Sequence, residues 1–116
     1  MHEMSLVKDI VQVVNTKATE SGANRVIWVS LLVGAIRDIH EELLQPCFDY
    51  FSRGSVAEGA EIKMIVSPVI FACSECRKCY HFDIHGGEPA ACPDHPSAVL
   101  QLIRGNELVV EDIGVV

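Results

Sequence analysis

Cysteines are concentrated in one short stretch of this chain, and their spacing constrains the fold more than any other feature of the sequence. Four of the five cysteines lie within twenty residues, and three of them form with one histidine the pattern C-x2-C-x15-C-x2-H. Two short-spaced pairs on separate turns can each supply one edge of the tetrahedron that Zn²⁺ prefers. The pattern predicts a structural zinc site formed by Cys73, Cys76, Cys92 and His95.

The spacing leaves the fourth ligand open. Cys79 extends the first pair to C-x2-C-x2-C and is therefore an alternative to His95, and His81 and His85 lie close by in the sequence. An iron–sulfur cluster is a weaker interpretation, because ferredoxins place their fourth cysteine only about three residues after the third. A zinc site with four protein ligands has no position for a reactive water, and the common catalytic and phosphate-binding motifs are absent from the sequence, so we expect no enzyme.

The length and the net charge of the chain exclude several classes of protein. A chain of 116 residues predicts one compact domain with at most a small appended module. Its net charge of −7 disfavours nucleic-acid binding, which needs cations opposite the phosphates. The apolar runs are too short for a membrane helix and the N-terminal residues do not form an export signal, so we expect a cytoplasmic protein without membrane contact.

The remaining sequence predicts helices and strands around this cysteine-rich stretch. Apolar spacing predicts an amphipathic helix over 4–21, and a run that is apolar on both faces predicts a central strand over 25–34. Asp38 and Glu41 resemble a capping box that starts a second helix, in which Pro46 either causes a kink or marks a restart. Further strands are predicted at 61–66, 99–103 and 107–113, the last two joined as a hairpin by Arg104-Gly105-Asn106.

The first residues carry a second metal-binding pattern. A free α-amino group, a deprotonated backbone amide and the imidazole of His2 can form fused chelate rings around a small cation. A set of nitrogen donors suits the square-planar geometry of Ni²⁺ or Cu²⁺ better than tetrahedral Zn²⁺. The pattern therefore indicates a site for a metal other than the predicted zinc.

Taken together in chain order, these segments resemble the HypA family of nickel metallochaperones, which act in the maturation of [NiFe]-hydrogenase. The resemblance rests on the opening Met1-His2-Glu3-Met4, on Ala57-Glu58-Gly59-Ala60 before a strand, on the cysteine pairs, and on the closing stretch from Arg104 to Ile113. It implies an α+β fold in which two helices pack on a mixed β-sheet, with an inserted zinc-ribbon-like domain. We accordingly expect a nickel-binding domain over 1–68 plus 105–116 and a zinc-binding domain over 69–104.

The resemblance also implies ligands and partners. Ni(II), as transient cargo, is bound by the imidazole of His2 with backbone nitrogens of Met1, His2 and Glu3, and the Glu3 side chain influences affinity. Zn(II) is structural. The implied partners are a HypB-type GTPase and the hydrogenase large-subunit precursor, and some members also serve urease. Whether the chain is a monomer or a homodimer stays open at this point.

The sequence departs from the family pattern at His95, where the family commonly has a second cysteine. Imidazole can replace that thiolate without a change of geometry, so zinc binding should persist. Two alternatives to a nickel chaperone remain: a zinc-ribbon adaptor in which the N-terminus has no role, and a thiol redox sensor that uses Cys79. We expect Cys47, beside Phe48 on an apolar helix face, to be a buried structural thiol.

Overall fold

The computed structural model describes residues 2–116, without the side chains of residues 2 and 3. Its elements in chain order are α1 (His2–Glu20), β1 (Val26–Gly34), a 3-10 turn (Ala35–Arg37), α2 (Glu41–Phe51), β2 (Glu61–Ser67), β3 (Val69–Cys73), β4 (Cys79–Phe82), β5 (Leu100–Arg104) and β6 (Leu108–Val115). Within these residues, no helix has the length and apolar character needed to cross a lipid bilayer.

The chain divides into two compact units. The first contains residues up to Leu32, Ile39–Ile65 and Leu108–Val116, and the second contains Val33–Asp38 and Val66–Glu107. The expected domain division, 1–68 plus 105–116 against 69–104, stays a prediction; the compact units place the short segment Val33–Asp38 together with 66–107. This segment contains the last two residues of β1 and the 3-10 turn, where the sequence has no break in composition that would mark a boundary.

The core of the first unit lies between two helices and a three-stranded sheet in the order β2-β1-β6. Helix α1 packs against α2. Residues with less than one tenth of their surface exposed occur at helical spacing on α1, at Leu44 and Phe48 on α2, and along the central strand: Val7, Ile10, Val11, Val14, Ala18, Val26, Val29 and Leu31. The predicted amphipathic helix and central strand are both confirmed.

The sheet of the first unit is mixed. Strand β6 runs antiparallel to β1, since the amide of Asn24 donates to the Val116 carbonyl at 2.8 Å and the Val116 amide donates to Arg25 at 2.9 Å. Strand β2 follows β1 through α2, the connection that parallel neighbours require. The predicted fold class, two helices on a mixed sheet with a separate ribbon-like unit, is confirmed.

The predicted start of the second helix was wrong. Asp38 does not begin α2 but ends the preceding 3-10 turn in the left-handed region, at φ 51° and ψ 45°. Helix α2 begins at Glu41, after His40, which makes no side-chain capping bond. Glu41 and Glu42 place negative charge in the first turn, where it interacts favourably with the helix dipole.

Pro46 lies inside α2 rather than in its first turn, so the helix does not restart there. The neighbouring Gln45 side chain bonds this part of the helix to the strand that follows. Its Oε1 accepts from the Ile62 amide at 2.8 Å, and its Nε2 donates to the Ala60 carbonyl at 3.0 Å and to Asp49 Oδ1 at 2.8 Å. These bonds offset the backbone hydrogen bond that proline cannot make.

The second unit contains a three-stranded antiparallel sheet in the order β4-β3-β5. Phe71 on β3 lies opposite Tyr80 on β4 and opposite Leu102 on β5. The predicted hairpin at Arg104-Gly105-Asn106 was therefore wrong, because β5 pairs with β3 whereas β6 belongs to the sheet of the first unit.

Glycine is required at position 105, where this connection passes close to Val69. Its φ is 115°, and a Cβ there would lie 2.7 Å from the Val69 Cα, so only glycine fits. The Gly105 carbonyl accepts from Ile36 at 3.0 Å, and the Asn106 carbonyl accepts from Arg37 Nε at 2.8 Å. The connection is therefore hydrogen-bonded to the segment Val33–Asp38 and does not form a hairpin turn.

Candidate metal centre

The first pair of cysteines lies on a tight turn between β3 and β4. The Cys73 amide donates to the Lys78 carbonyl at 3.0 Å, and the Arg77 amide donates to the Cys73 carbonyl at 2.8 Å. Arg77 takes a left-handed conformation, with φ 63°, which reverses the chain directly after Cys76. The turn holds both thiols on one side, and the Glu75 amide donates to Cys73 Sγ at 3.4 Å.

The second pair lies on a turn before β5. The His95 amide donates to the Cys92 carbonyl at 3.2 Å, and the Ala98 amide donates to the His95 carbonyl at 3.0 Å. A bond from the Ser74 amide to the Val99 carbonyl, at 3.1 Å, joins this stretch to the first turn. Two turns that are distant in sequence are therefore held next to each other by backbone bonds.

Four side chains meet between these turns. The ligand atoms of Cys73, Cys76, Cys92 and His95 all lie within 4.8 Å of one another. Cys76 Sγ is 3.7 Å from Cys92 Sγ, which is 3.8 Å from His95 Nδ1. A tetrahedral zinc with bonds of about 2.3 Å to sulfur separates its ligands by about 3.8 Å. The donor set and its spacing therefore fit a tetrahedral zinc ion.

Local contacts favour the thiolate form of Cys92. The Tyr80 hydroxyl lies 3.4 Å from Cys92 Sγ, and this hydrogen bond, together with the one from His95, outweighs burial and lowers the pKa of Cys92 to about 6. The same contact raises the pKa of Tyr80, so the phenol keeps its proton and donates. A thiolate is the form that binds metal, so this residue is prepared for coordination near neutral pH.

The pKa of Cys76 is shifted in the opposite direction to that of Cys92. The backbone N–H of Lys78 lowers its pKa, but burial and the neighbouring Cys92 and Cys73 thiols raise it, and the net shift is upward. Negative charges in one small space disfavour each other unless a cation lies between them. The cluster is thus arranged for a bound cation and is less favourable without one.

Cys79, the alternative ligand, is exposed on β4 and is not part of the group of four. Successive residues of a strand face opposite sides, and the next residue, Tyr80, is the one in contact with Cys92. His81 and His85 are exposed and also lie outside the group. Cys47 lies on α2 but is only half-buried, so the expectation of a buried thiol was wrong.

Tyr80 is the residue that sequence reasoning did not identify. It carries no spacing signal of its own, because its contact with Cys92 depends on how β4 pairs with β3 and on where the loop after β4 returns. The predicted nickel ligands lie outside the described part of the chain: Met1 entirely, and His2 and Glu3 in their side chains.

Comparison with known proteins gives a consistent result. Residues 1–115 match the family model described as "Hydrogenase/urease nickel incorporation, metallochaperone, hypA". The chain is 33% identical over 113 residues to "Hydrogenase maturation factor HypA" of Chlorobium limicola, covering 97% of this chain and 95% of that protein. It is 30% identical over 115 residues to the protein of the same name from Dehalococcoides mccartyi, covering 99% and 94%.

A solved structure shares the fold. The "Solution structure of the Ni metallochaperone HypA from Helicobacter pylori" superposes with a TM-score of 0.69 at 18% identity, covering 99% of this chain and 97% of that one. At this identity the likeness concerns the arrangement of helices and sheets.

Proposed function

Because the chain belongs to the HypA family of nickel metallochaperones for hydrogenase and urease maturation, we propose that it binds Ni(II) at its N-terminus and delivers the ion to a [NiFe]-hydrogenase precursor. The observation that carries the proposal is the extent of the family match, which spans 1–115 and so includes the Met1-His2-Glu3 opening as well as the four residues of the metal centre. Members of this family are maturation factors rather than enzymes, and the chain is one of them.

The proposed nickel ligands are the nitrogens at the chain start. The imidazole of His2 and the backbone nitrogens of Met1, His2 and Glu3 form a nitrogen-rich set that suits square-planar Ni²⁺. Helix α1 begins at His2, and its buried residues from Val7 onwards fix the helix on the core. A site made of so few side chains can release its ion to a partner, as delivery requires.

The proposed role of Zn(II) is structural. Cys73, Cys76, Cys92 and His95 would fill all four positions of a tetrahedral ion, which would join the two turns of the second unit without offering a site for chemistry. Burial of Cys73 and Cys92 protects the sulfur atoms that the ion would bind. Zinc release would therefore loosen the second unit rather than abolish a reaction.

The proposed partners follow from the family. They are a HypB-type GTPase, the hydrogenase large-subunit precursor and, in some organisms, the urease system. We place this exchange in the cytoplasm, where thiols such as those of the zinc cluster stay reduced.

Metal analysis of the purified protein tests the proposal. Untagged protein and His2→Ala are incubated with Ni²⁺, desalted and analysed for nickel and zinc by mass spectrometry. His85→Ala is the matched control, because its imidazole is exposed and lies outside the cluster. We expect about one zinc in all three proteins, and nickel in the parent and the His85 variant only.

A further variant tests the role of the chain start. One residue added before Met1 moves the α-amino group away from His2 and should abolish nickel binding while zinc is retained. Nickel retained by both the extended protein and His2→Ala would refute an N-terminal site. Zinc without nickel in the parent would refute the chaperone and favour the zinc-ribbon adaptor.

A further inference from the structure

A cleft of about 410 Å³ opens next to the metal centre, within the second unit. Three aromatic residues line it: Tyr80, and Phe71 and Phe82, whose rings pack edge to face with centroids 5.8 Å apart. Pro89, Ala90 and Ala91, in the loop after β4, line it as well. The volume and the mixture of apolar and polar lining residues suit one large side chain or a short stretch of peptide.

The rim of this cleft is acidic. Asp83 and Glu88 are both exposed, and none of the residues that line the cleft is Lys or Arg. His81 is the other titratable group at the rim besides Tyr80, and it is exposed. Two carboxylates at the edge of the cleft attract a cation and repel phosphate, so a nucleic acid or a phospholipid headgroup is disfavoured.

We propose that this cleft binds an extended segment of a partner protein that inserts one apolar side chain and places Lys or Arg against Asp83 and Glu88. The apolar side chain is buried among Phe71, Phe82 and the loop, and the cationic groups lie over the acidic rim. Asp83, Glu88 and Ala91 line the cleft and are exposed, so a side chain of another protein can reach it. The proposal concerns the second unit and is independent of nickel binding at the N-terminus.

Tyr80 connects this cleft to the metal centre. Its ring lines the cleft, and its hydroxyl lies 3.4 Å from Cys92 Sγ. A side chain that packs on the ring shifts the hydroxyl relative to the sulfur. Occupation of the cleft therefore changes the surroundings of a metal ligand, which gives a spectroscopic signal of binding.

Peptide titration of the zinc-loaded, ¹⁵N-labelled full chain tests the proposal. The probe is an acetylated and amidated peptide with a central leucine flanked by lysines. We expect saturable shifts confined to amides around the cleft. A probe with alanine in place of leucine should bind at least about tenfold more weakly, because the buried side chain is lost. A probe with glutamates in place of the lysines should not bind.

Variants of the rim complete the test. Asp83→Asn and Glu88→Gln should each weaken binding of the lysine probe about threefold, as expected for exposed charge pairs. Glu111→Gln, an exposed acid on β6, is the matched control and should not change the affinity. Ala91→Trp, at an exposed position, should block the cleft while the amide spectrum of the rest of the protein stays unchanged.

The variant Tyr80→Phe distinguishes binding of the peptide in the cleft from the effect of that binding on the metal centre. This variant keeps the ring and should bind the lysine probe with parental affinity. In the Co²⁺-loaded parent, the probe should shift the absorption bands of the metal, and in Co²⁺-loaded Tyr80→Phe this shift should be lost. Equal binding of the lysine and glutamate probes would overturn the proposal. Amide shifts around the cleft that depend on protein concentration in the absence of peptide would also overturn it, because a second copy of the chain would then occupy the cleft.

Discussion

Replacement of His95 by alanine should weaken zinc binding by about two orders of magnitude. His95 Nδ1 lies 3.8 Å from Cys92 Sγ, and no other His, Cys, Asp or Glu among the described residues belongs to the cluster and could replace it. Structural zinc sites bind with roughly 10–16 kcal/mol in total, so one of four ligands accounts for about 3 kcal/mol, or roughly a hundredfold in affinity. His95→Cys keeps a donor at the same place and should restore the affinity.

The matched control is Cys79→Ser. This thiol is exposed and lies outside the group of four, so its loss should leave zinc affinity unchanged. Competition with a chromogenic zinc chelator measures the affinity of each variant, and the absorption of the Co²⁺-loaded proteins reports the number of sulfur ligands. His95→Ala should keep three thiolates, whereas loss of a cysteine ligand reduces the sulfur-to-metal band.

The reverse pattern would refute this ligand assignment. If Cys79→Ser released zinc while His95→Ala retained it, the fourth ligand would be the Cys79 thiol. The turn after Cys76 would then have to rearrange, because Cys79 is already committed to β4 opposite Ala72.

Three further outcomes follow from the packing. Gly105→Ala should lower the free energy of urea unfolding by at least about 2 kcal/mol, and Gly87→Ala by only about 1 kcal/mol, because both residues have positive φ but only Gly105 would place its Cβ against Val69. Ser52→Ala should add about 1 kcal/mol to the free energy of unfolding, seen as a higher midpoint of thermal unfolding, since the buried Ser52 hydroxyl has no hydrogen-bond partner among the described residues. The pKa of Glu107 is lowered by its own backbone N–H and by that of Gly105, so its stabilising effect is present above the unfolded-state value of 4.5 and is lost as the pH falls through the lower folded-state pKa. The stability difference between the parent and Glu107→Gln should shrink accordingly in urea titrations at decreasing pH, and a difference that stays constant would contradict this role.

Local patterns predicted the elements whose structure depends on local physics. The helical spacing of Val7, Ile10, Val11 and Val14 suffices for α1, because one apolar stripe must face the core. A run that is apolar on both faces is typical of a central strand, and β1 is central. The spacing of the cysteine pairs likewise selected the side chains that lie together in the cluster, because each pair belongs to one turn.

The predictions failed where a short sequence pattern is compatible with more than one local structure. Asp38 satisfies a capping pattern, yet it ends a 3-10 turn, because its left-handed conformation directs the chain away from a helix start. Arg104-Gly105-Asn106 has the composition of a hairpin turn, but which strand pairs with which is decided by contacts that are distant in sequence. The contact between Tyr80 and Cys92 is of the same kind, since no rule of spacing joins them.

The chain order of the two units has a consequence for synthesis on the ribosome. Residues 66–107, which form most of the second unit, are translated after β1 and most of β2 but before β6, whose end bonds to Asn24 and Arg25. The sheet of the first unit therefore cannot be completed until the chain of the second unit has been made. Until β6 pairs with β1, this central strand has one side unpaired, and a chaperone that binds strand edges has access to it.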